Sequence, residues 1–227
     1  MKEDLLLLHG ALGSRRQFGS ILPLLQDRFR VHTLDFEGHG AFNSDSDFSI
    51  NRFTENVLTF LDQSNLDHIN IFGYSMGGYV ALNTALMASD QIGKIVTLGT
   101  KFNWNIETAE KEVKMLDAAK IEEKVPSYAI KLRDEHSQDW KEVLRKTAEM
   151  MIGLSEGSKL TREDFSMIRH EVTIGVGSLD NMVTWEESER VSKWLPNGAL
   201  QNLPDFKHPI EKVDRGKLVD FIHLGLS

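Results

Sequence analysis

Short apolar runs alternating with amphipathic stretches constrain the fold of this chain more than any other feature. Residues 5–8, 31–34, 69–72 and 95–98 are short, largely apolar on both faces and bounded by polar or glycine residues. That is the pattern of strands buried on both sides. Residues 15–26, 49–63 and 77–89 lie between them and read as helices, the second with Ser49 as a plausible N-cap. Arg52 stands three residues after Ser49, so the full capping box is missing. Parallel neighbours need crossover connections, so the rhythm predicts a parallel sheet covered by helices on both faces.

The rhythm breaks after Thr100. Residues 105–168 are charged, poor in strand signals and helical in period. Val113, Leu116 and Lys120 mark one face; Trp140, Val143, Leu144, Thr147 and Met151 mark another. Pro126 and the segment 153–157 punctuate this region. The earlier pattern then resumes with a strand at 172–176, a helix at 185–194, a strand at 200–203 and a helix at 213–223. The expected fold is α/β: a mostly parallel, doubly wound sheet of about six strands flanked by helices. Its core is formed by residues 1–100 and 169–227 and is split by a helical insertion at 101–168. There is no internal repeat.

A chain of 227 residues, 41% hydrophobic and 26% charged, can build one such domain with an inserted subdomain. The formal charge of −8 argues against nucleic acid or an anionic membrane as partner, since both require a clustered positive field. With no cysteine, disulfides, thiolate metal sites and a cysteine nucleophile are excluded. The run 5–8 is too short for a secretory leader and follows Glu3 and Asp4 rather than basic residues. No stretch approaches the roughly 20 apolar residues of a membrane span. These features lead to the expectation of a cytoplasmic protein acting on a small molecule. No His-Glu-x-x-His or comparable spacing occurs, so neither a metal nor a cofactor is expected. The oligomeric state has no sequence signature.

The strongest local signal is Gly73-Tyr74-Ser75-Met76-Gly77, between an expected strand and an expected helix. A serine exposed on so tight a turn needs small neighbours two positions to either side. The helix that follows aims its positive end at the place where negative charge develops in acyl transfer. A hydroxyl needs a base to become an effective nucleophile. Of the eight histidines, His208 follows the last expected strand and precedes the closing helix, at the carboxyl edge where parallel sheets gather their functional groups. His9 and His39 sit beside glycines at strand or turn ends and are expected to bond loop backbone; His32, His68, His136, His170 and His223 have no such placement. Asp180, just beyond the strand 172–176 and the turn Gly177-Ser178-Leu179, is the carboxylate expected to orient His208. Asp205 is too near His208 along the chain, and the end of the strand before Thr100 offers no carboxylate. For the developing oxyanion, Met76 N–H is one expected donor. The glycine-bearing loop after the first strand supplies the other from Ala11, with Leu12 as the alternative.

These residues resemble the α/β-hydrolase superfamily. The likeness is carried by His9-Gly10-Ala11-Leu12-Gly13-Ser14, Asp35-Phe36-Glu37-Gly38-His39-Gly40, the serine turn continuing into Gly78, Gly177-Ser178-Leu179-Asp180, and His208-Pro209-Ile210-Glu211. The order Ser75, Asp180, His208 is also that of the superfamily. The resemblance is to the branch of small carboxylesterases, carbon–carbon-bond hydrolases and the menaquinone-pathway lyase called SHCHC synthase. It implies a helical cap over 101–168 that selects the substrate. It also implies a start at the family's third strand and a sheet order of 4-3-5-6-7-8 in family numbering. Where that lyase typically carries an arginine after the serine turn, this chain has Tyr79.

The leading expectation is therefore a serine hydrolase cleaving a small ester through an acyl-enzyme on Ser75. Carbon–carbon cleavage or lyase chemistry with the same three residues is the alternative, and a non-catalytic ligand receptor a third. Leu12, Tyr79, Phe102, Trp104, Tyr128 and Met151 are candidates for the substrate pocket, with Trp140 and Met150 as further apolar cap residues.

Overall fold

The computed structural model describes residues 2–66 and 68–227. In chain order the elements are β1 Glu3–Leu8, α1 Leu22–Leu25, β2 Phe29–Thr33, α2 Ile50–Ser64, β3 Ile69–Tyr74, α3 Met76–Met87 and β4 Ile92–Leu98. Helices α4 Ile106–Val113, α5 Ala118–Lys124, α6 Pro126–Glu135, α7 Trp140–Gly153 and α8 Arg162–Met167 follow. The chain closes with β5 Val172–Gly177, α9 Trp185–Trp194, β6 Gly198–Leu203 and α10 Arg215–Gly225.

The six strands form one sheet in the order β2-β1-β3-β4-β5-β6, with every adjacent pair parallel. This matches the expected strand number and order. Side chains alternate across each strand and so divide the core in two. Leu6, Leu8, Ile69, Ile71 and Ile95 face the layer containing α2 and α3 residues such as Phe53, Val57 and Val80. Leu5, Leu7, Phe72, Val96 and Leu98 face Phe18, Leu25, Leu218 and Ile222 on the other side. Leu5 to Leu8 are all fully buried, which explains why that run carries no polar position. The chain runs outward from β1 to β2, then crosses back to β3. The carboxyl ends of β1 and β3 therefore lie together where the strand order reverses, the place at which such sheets open a crevice.

Several elements depart from the sequence expectation. The single helix over 15–26 is instead a 3₁₀ turn at Arg15–Phe18 and the short α1. Pro23 has no amide hydrogen and is tolerated only in a first helical turn, so the helix restarts there. The face marked by Val113, Leu116 and Lys120 is split between α4 and α5, because the Asp117 carboxylate accepts the Lys120 amide at 3.1 Å and caps a new helix. The segment 153–157 does not stop α7; it continues as a π-type turn, Leu154–Ser158, to Gly157 at φ 126°. Ser49 caps α2 as expected, accepting the Arg52 amide at 3.1 Å.

The helices between β4 and β5 dock on the loops after β1 and β2. His136 accepts the Gly40 amide at 3.0 Å and bonds the Leu12 carbonyl at 3.1 Å, while Ser137 N–H donates to Gly40 O at 2.8 Å. Lys146 reaches the Ser44 carbonyl at 3.0 Å, and Ser14 bonds Glu135. The helical segment thus covers the carboxyl edge of the sheet. Among the described residues, no helix is long and apolar enough to cross a membrane.

Candidate active site

The turn from β3 to α3 holds Ser75 at φ 51°, ψ −116°, a backbone conformation that non-glycine residues rarely adopt. Its close surroundings account for the flanking glycines. A Cβ at Gly77 would lie 2.1 Å from Leu8 O, and one at Gly73 would lie 2.4 Å from the Gly78 Cα. Two bonds from β4 and its exit hold the turn in place: Ser75 N–H donates to Leu98 O at 2.8 Å, and the Thr100 hydroxyl donates to Ser75 O at 3.0 Å.

The structure brings Ser75, His208 and Asp180 together from three strand ends. Ser75 Oγ lies 3.4 Å from His208 Nε2, and His208 Nδ1 lies 2.9 Å from Asp180 Oδ2. The first contact is long for a hydrogen bond, as is common where the geometry tightens only around substrate. The other Asp180 oxygen accepts the amides of Met182 at 2.8 Å and Val183 at 3.0 Å. The aspartate side chain is 2% exposed and that of His208 is 10%. Burial alone would raise the Asp180 pKa, but the His208 ring and the two amides outweigh it and hold the carboxyl below its ordinary value. Gly99, at φ 60°, passes beside this pair; a Cβ there would stand 3.2 Å from Asp180 Oδ2.

One contact here had no sequence signal. The Tyr74 hydroxyl donates to the His208 carbonyl at 2.6 Å, which ties the histidine loop to the residue before the serine. The two residues are 134 positions apart, and tyrosine in that turn otherwise reads as strand core.

Ala11 and Met76 line one cavity with Ser75 and His208, Met76 as the first residue of α3. Leu12 has φ 61° within the turn closed by Gly13 N–H to Gly10 O at 3.2 Å, and it lines a second, adjoining cavity. His9 and His39 bond loop backbone: His9 Nε2 accepts the Phe36 amide at 3.1 Å, and His39 Nδ1 lies 3.2 Å from Glu37 O.

Tyr79, Trp104, Met150 and Met151 line the first cavity; Leu12, Tyr128 and Met151 line the second. The Tyr79 hydroxyl is occupied, accepting the Leu160 amide at 2.7 Å. Phe102 lines neither cavity. Its ring packs into the core between Tyr79 and Phe165, with centroids 6.2 and 5.8 Å away. Trp140 belongs to a separate apolar cluster with Ile121, Leu132 and Leu144. Five residues lining the first cavity were missing from the sequence reading: Ile50, Lys101, Glu112, Leu154 and Met182. Lys101 lies three residues beyond the end of β4, as Asp180 lies three beyond β5, and could have been found by the same strand-end argument. Glu112 has no such signal, being one acidic residue among many in a charged helical segment.

Among the described residues, no group of three or more histidine, aspartate or glutamate side chains is arranged to hold a metal ion.

The sequence model of the alpha/beta hydrolase fold matches residues 5–118. A pimeloyl-[acyl-carrier protein] methyl ester esterase of Edwardsiella ictaluri is 32% identical over 99 residues, covering 44% of this chain and 37% of that protein. The chain spans well under half the length of the first curated relatives it matches. Among solved structures, a marine microorganism esterase superposes with a TM-score of 0.81 at 19% identity, covering all of this chain and 96% of its own. The 2-hydroxy-6-oxo-6-phenylhexa-2,4-dienoate hydrolase of Rhodococcus sp. strain RHA1 gives 0.81 at 16% identity, covering 99% and 90%. At these identities the structural likeness speaks to the fold.

Proposed function

The chain belongs to the alpha/beta hydrolase fold family, and on that premise we propose that it is a serine hydrolase cleaving a small carboxylic ester through an acyl-enzyme on Ser75. The observation carrying this reading is the unbroken line of contacts from Ser75 Oγ through both nitrogens of His208 to Asp180.

In this mechanism His208 Nε2 takes the Ser75 proton as Oγ attacks the ester carbonyl carbon. Asp180 fixes the tautomer, since its oxygen at Nδ1 requires the proton there and leaves Nε2 as the acceptor. The negative charge on the tetrahedral oxygen is met by the amides of Met76 and Ala11, with the amino end of α3 behind it. Collapse expels the alcohol, which takes the proton from His208. Water then enters, loses a proton to the same nitrogen and releases the acid, restoring the Ser75 hydroxyl.

An ester panel of graded acyl length, run on wild type and Ser75→Ala together, tests the reading. Turnover of short esters in wild type is expected to fall by a factor on the order of 10⁴ or more in the variant. Folded wild type inactive across the panel, or undiminished turnover in the variant, overturns it. Cleavage of a carbon–carbon substrate without ester turnover would instead favour carbon–carbon chemistry at the same residues.

A further inference from the structure

The cavity beside Ser75 is walled mainly by apolar side chains, among them Ile50, Met76, Trp104, Met150 and Leu154, yet it also contains a lysine and a glutamate. Lys101 Nζ lies 3.4 Å from Glu112 Oε1, with the two side chains 13% and 3% exposed. The ammonium also donates to the Met182 carbonyl at 2.8 Å, beside the loop that carries Asp180. Glu112 lines the adjoining cavity too, together with Ser75, His208 and Met182, so it stands at the junction of the two.

This pair has hydrogen-bonding capacity to spare. Glu112 Oε2 is buried and has no donor among the described residues. A lysine ammonium carries three N–H donors; one serves Met182 O and one faces Glu112, which leaves a third. An unpaired carboxylate oxygen beside an apolar cavity is costly, and its position suits a donor brought by whatever occupies the cavity.

The chemistry of that donor follows from charge. The pair is neutral overall, and Glu187, its pKa raised by burial, also feels the charge of Lys101. A substrate carboxylate would add a second negative charge beside Glu112, and a substrate ammonium would meet Lys101; both are disfavoured where water is scarce. An alcohol hydroxyl fits both sides, donating to Glu112 Oε2 and accepting from Lys101.

Resting on the serine-hydrolase reading above, we infer that Lys101 and Glu112 form a polar subsite selecting esters whose acyl portion carries an alcohol hydroxyl, over plain alkyl or anionic ones.

The test uses methyl hexanoate, its 2-, 3- and 6-hydroxy derivatives, and monomethyl adipate as the anionic comparison. Two quantities are read: affinity for Ser75→Ala by calorimetry, which needs no catalysis, and kcat/KM in the wild type. At least one hydroxy ester is expected to exceed methyl hexanoate by about tenfold in both. The preference should fall below about twofold when Lys101→Met and Glu112→Leu are combined, a change that keeps the cavity neutral. If that double variant does not fold, Glu112→Gln is read instead, with the preference expected to drop by at least about threefold. Equal affinity for all esters, a preference for monomethyl adipate, or a hydroxyl preference that survives the substitutions overturns the subsite. Hydroxyl-dependent binding without wild-type turnover sinks the serine chemistry alone; turnover without preference sinks the subsite alone.

Discussion

At the scale of single residues, the site depends on positions held against local preference. Ser75 keeps a left-handed φ of 51° because Leu98 at the end of β4 and Thr100 just beyond it bond its backbone. The Tyr74 hydroxyl holds the His208 carbonyl at 2.6 Å, and in the proposed mechanism that bond positions the histidine. Tyr74→Phe should therefore lower kcat by about fivefold with KM nearly unchanged, the loss of one hydrogen bond's worth of positioning. It should also alter the acidic limb of the pH–rate profile, which a loss of stability alone would not. Unchanged kcat and pH profile in the folded variant would count against that role. Ser75, Asp180 and His208 were each singled out by local context, a tight turn or a strand's carboxyl end. The Tyr74–His208 bond and the Lys101–Glu112 pair were not, because each joins residues whose proximity arises only once the chain is folded.

Among the elements, the junction of β3 and α3 is the most constrained. Helix α3 is buried from Met76 to Ala85, so it cannot shift outward to relieve a clash. A methyl group at Gly77 would overlap the carbonyl of Leu8 at 2.1 Å, so Gly77→Ala should cost more than about 2 kcal/mol, measured by urea unfolding. A variant within about 0.5 kcal/mol of wild type would show that this contact relaxes easily. The strands were legible because burial on both faces leaves near-continuous apolar runs, as in Leu5–Leu8 of β1. The break within 15–26 was harder to read, since Pro23 is compatible with a helix start as well as a helix end. The π-type extension of α7 past Gly153 left no periodic trace.

For the whole molecule, the union of the helical segment with the sheet passes through a group of buried histidines. His9 and His39 have ring centroids 5.2 Å apart, and His39 and His136 are 5.6 Å apart. Burial lowers all three pKa values, that of His9 to about 4. Asp35 and Glu135 oppose this at His136, while Arg16 reinforces it. The amides of Phe36 and Gly40 donate to His9 Nε2 and His136 Nδ1, which accept only while neutral. Because the folded values lie below the unfolded value near 6.5, this stability is fully present above about pH 6.5 and is lost as pH falls toward 4. The thermal midpoint should be level from pH 8 to 7 and drop between 6.5 and 5. A midpoint that holds or rises on acidification over that range would contradict the account. This docking was not legible from the sequence: His136 stood out only as a histidine flanking the insertion, and its partners are loop backbone groups without side-chain signature.

The central claim is that Ser75 is the nucleophile, and covalent labelling tests it most directly. The folded protein is treated with a fluorophosphonate, and the modified peptide is located by mass spectrometry. The account predicts a single adduct on Ser75, absent from folded Ser75→Ala. Folded wild type that remains unmodified, or an adduct on another residue that persists in Ser75→Ala, would contradict it.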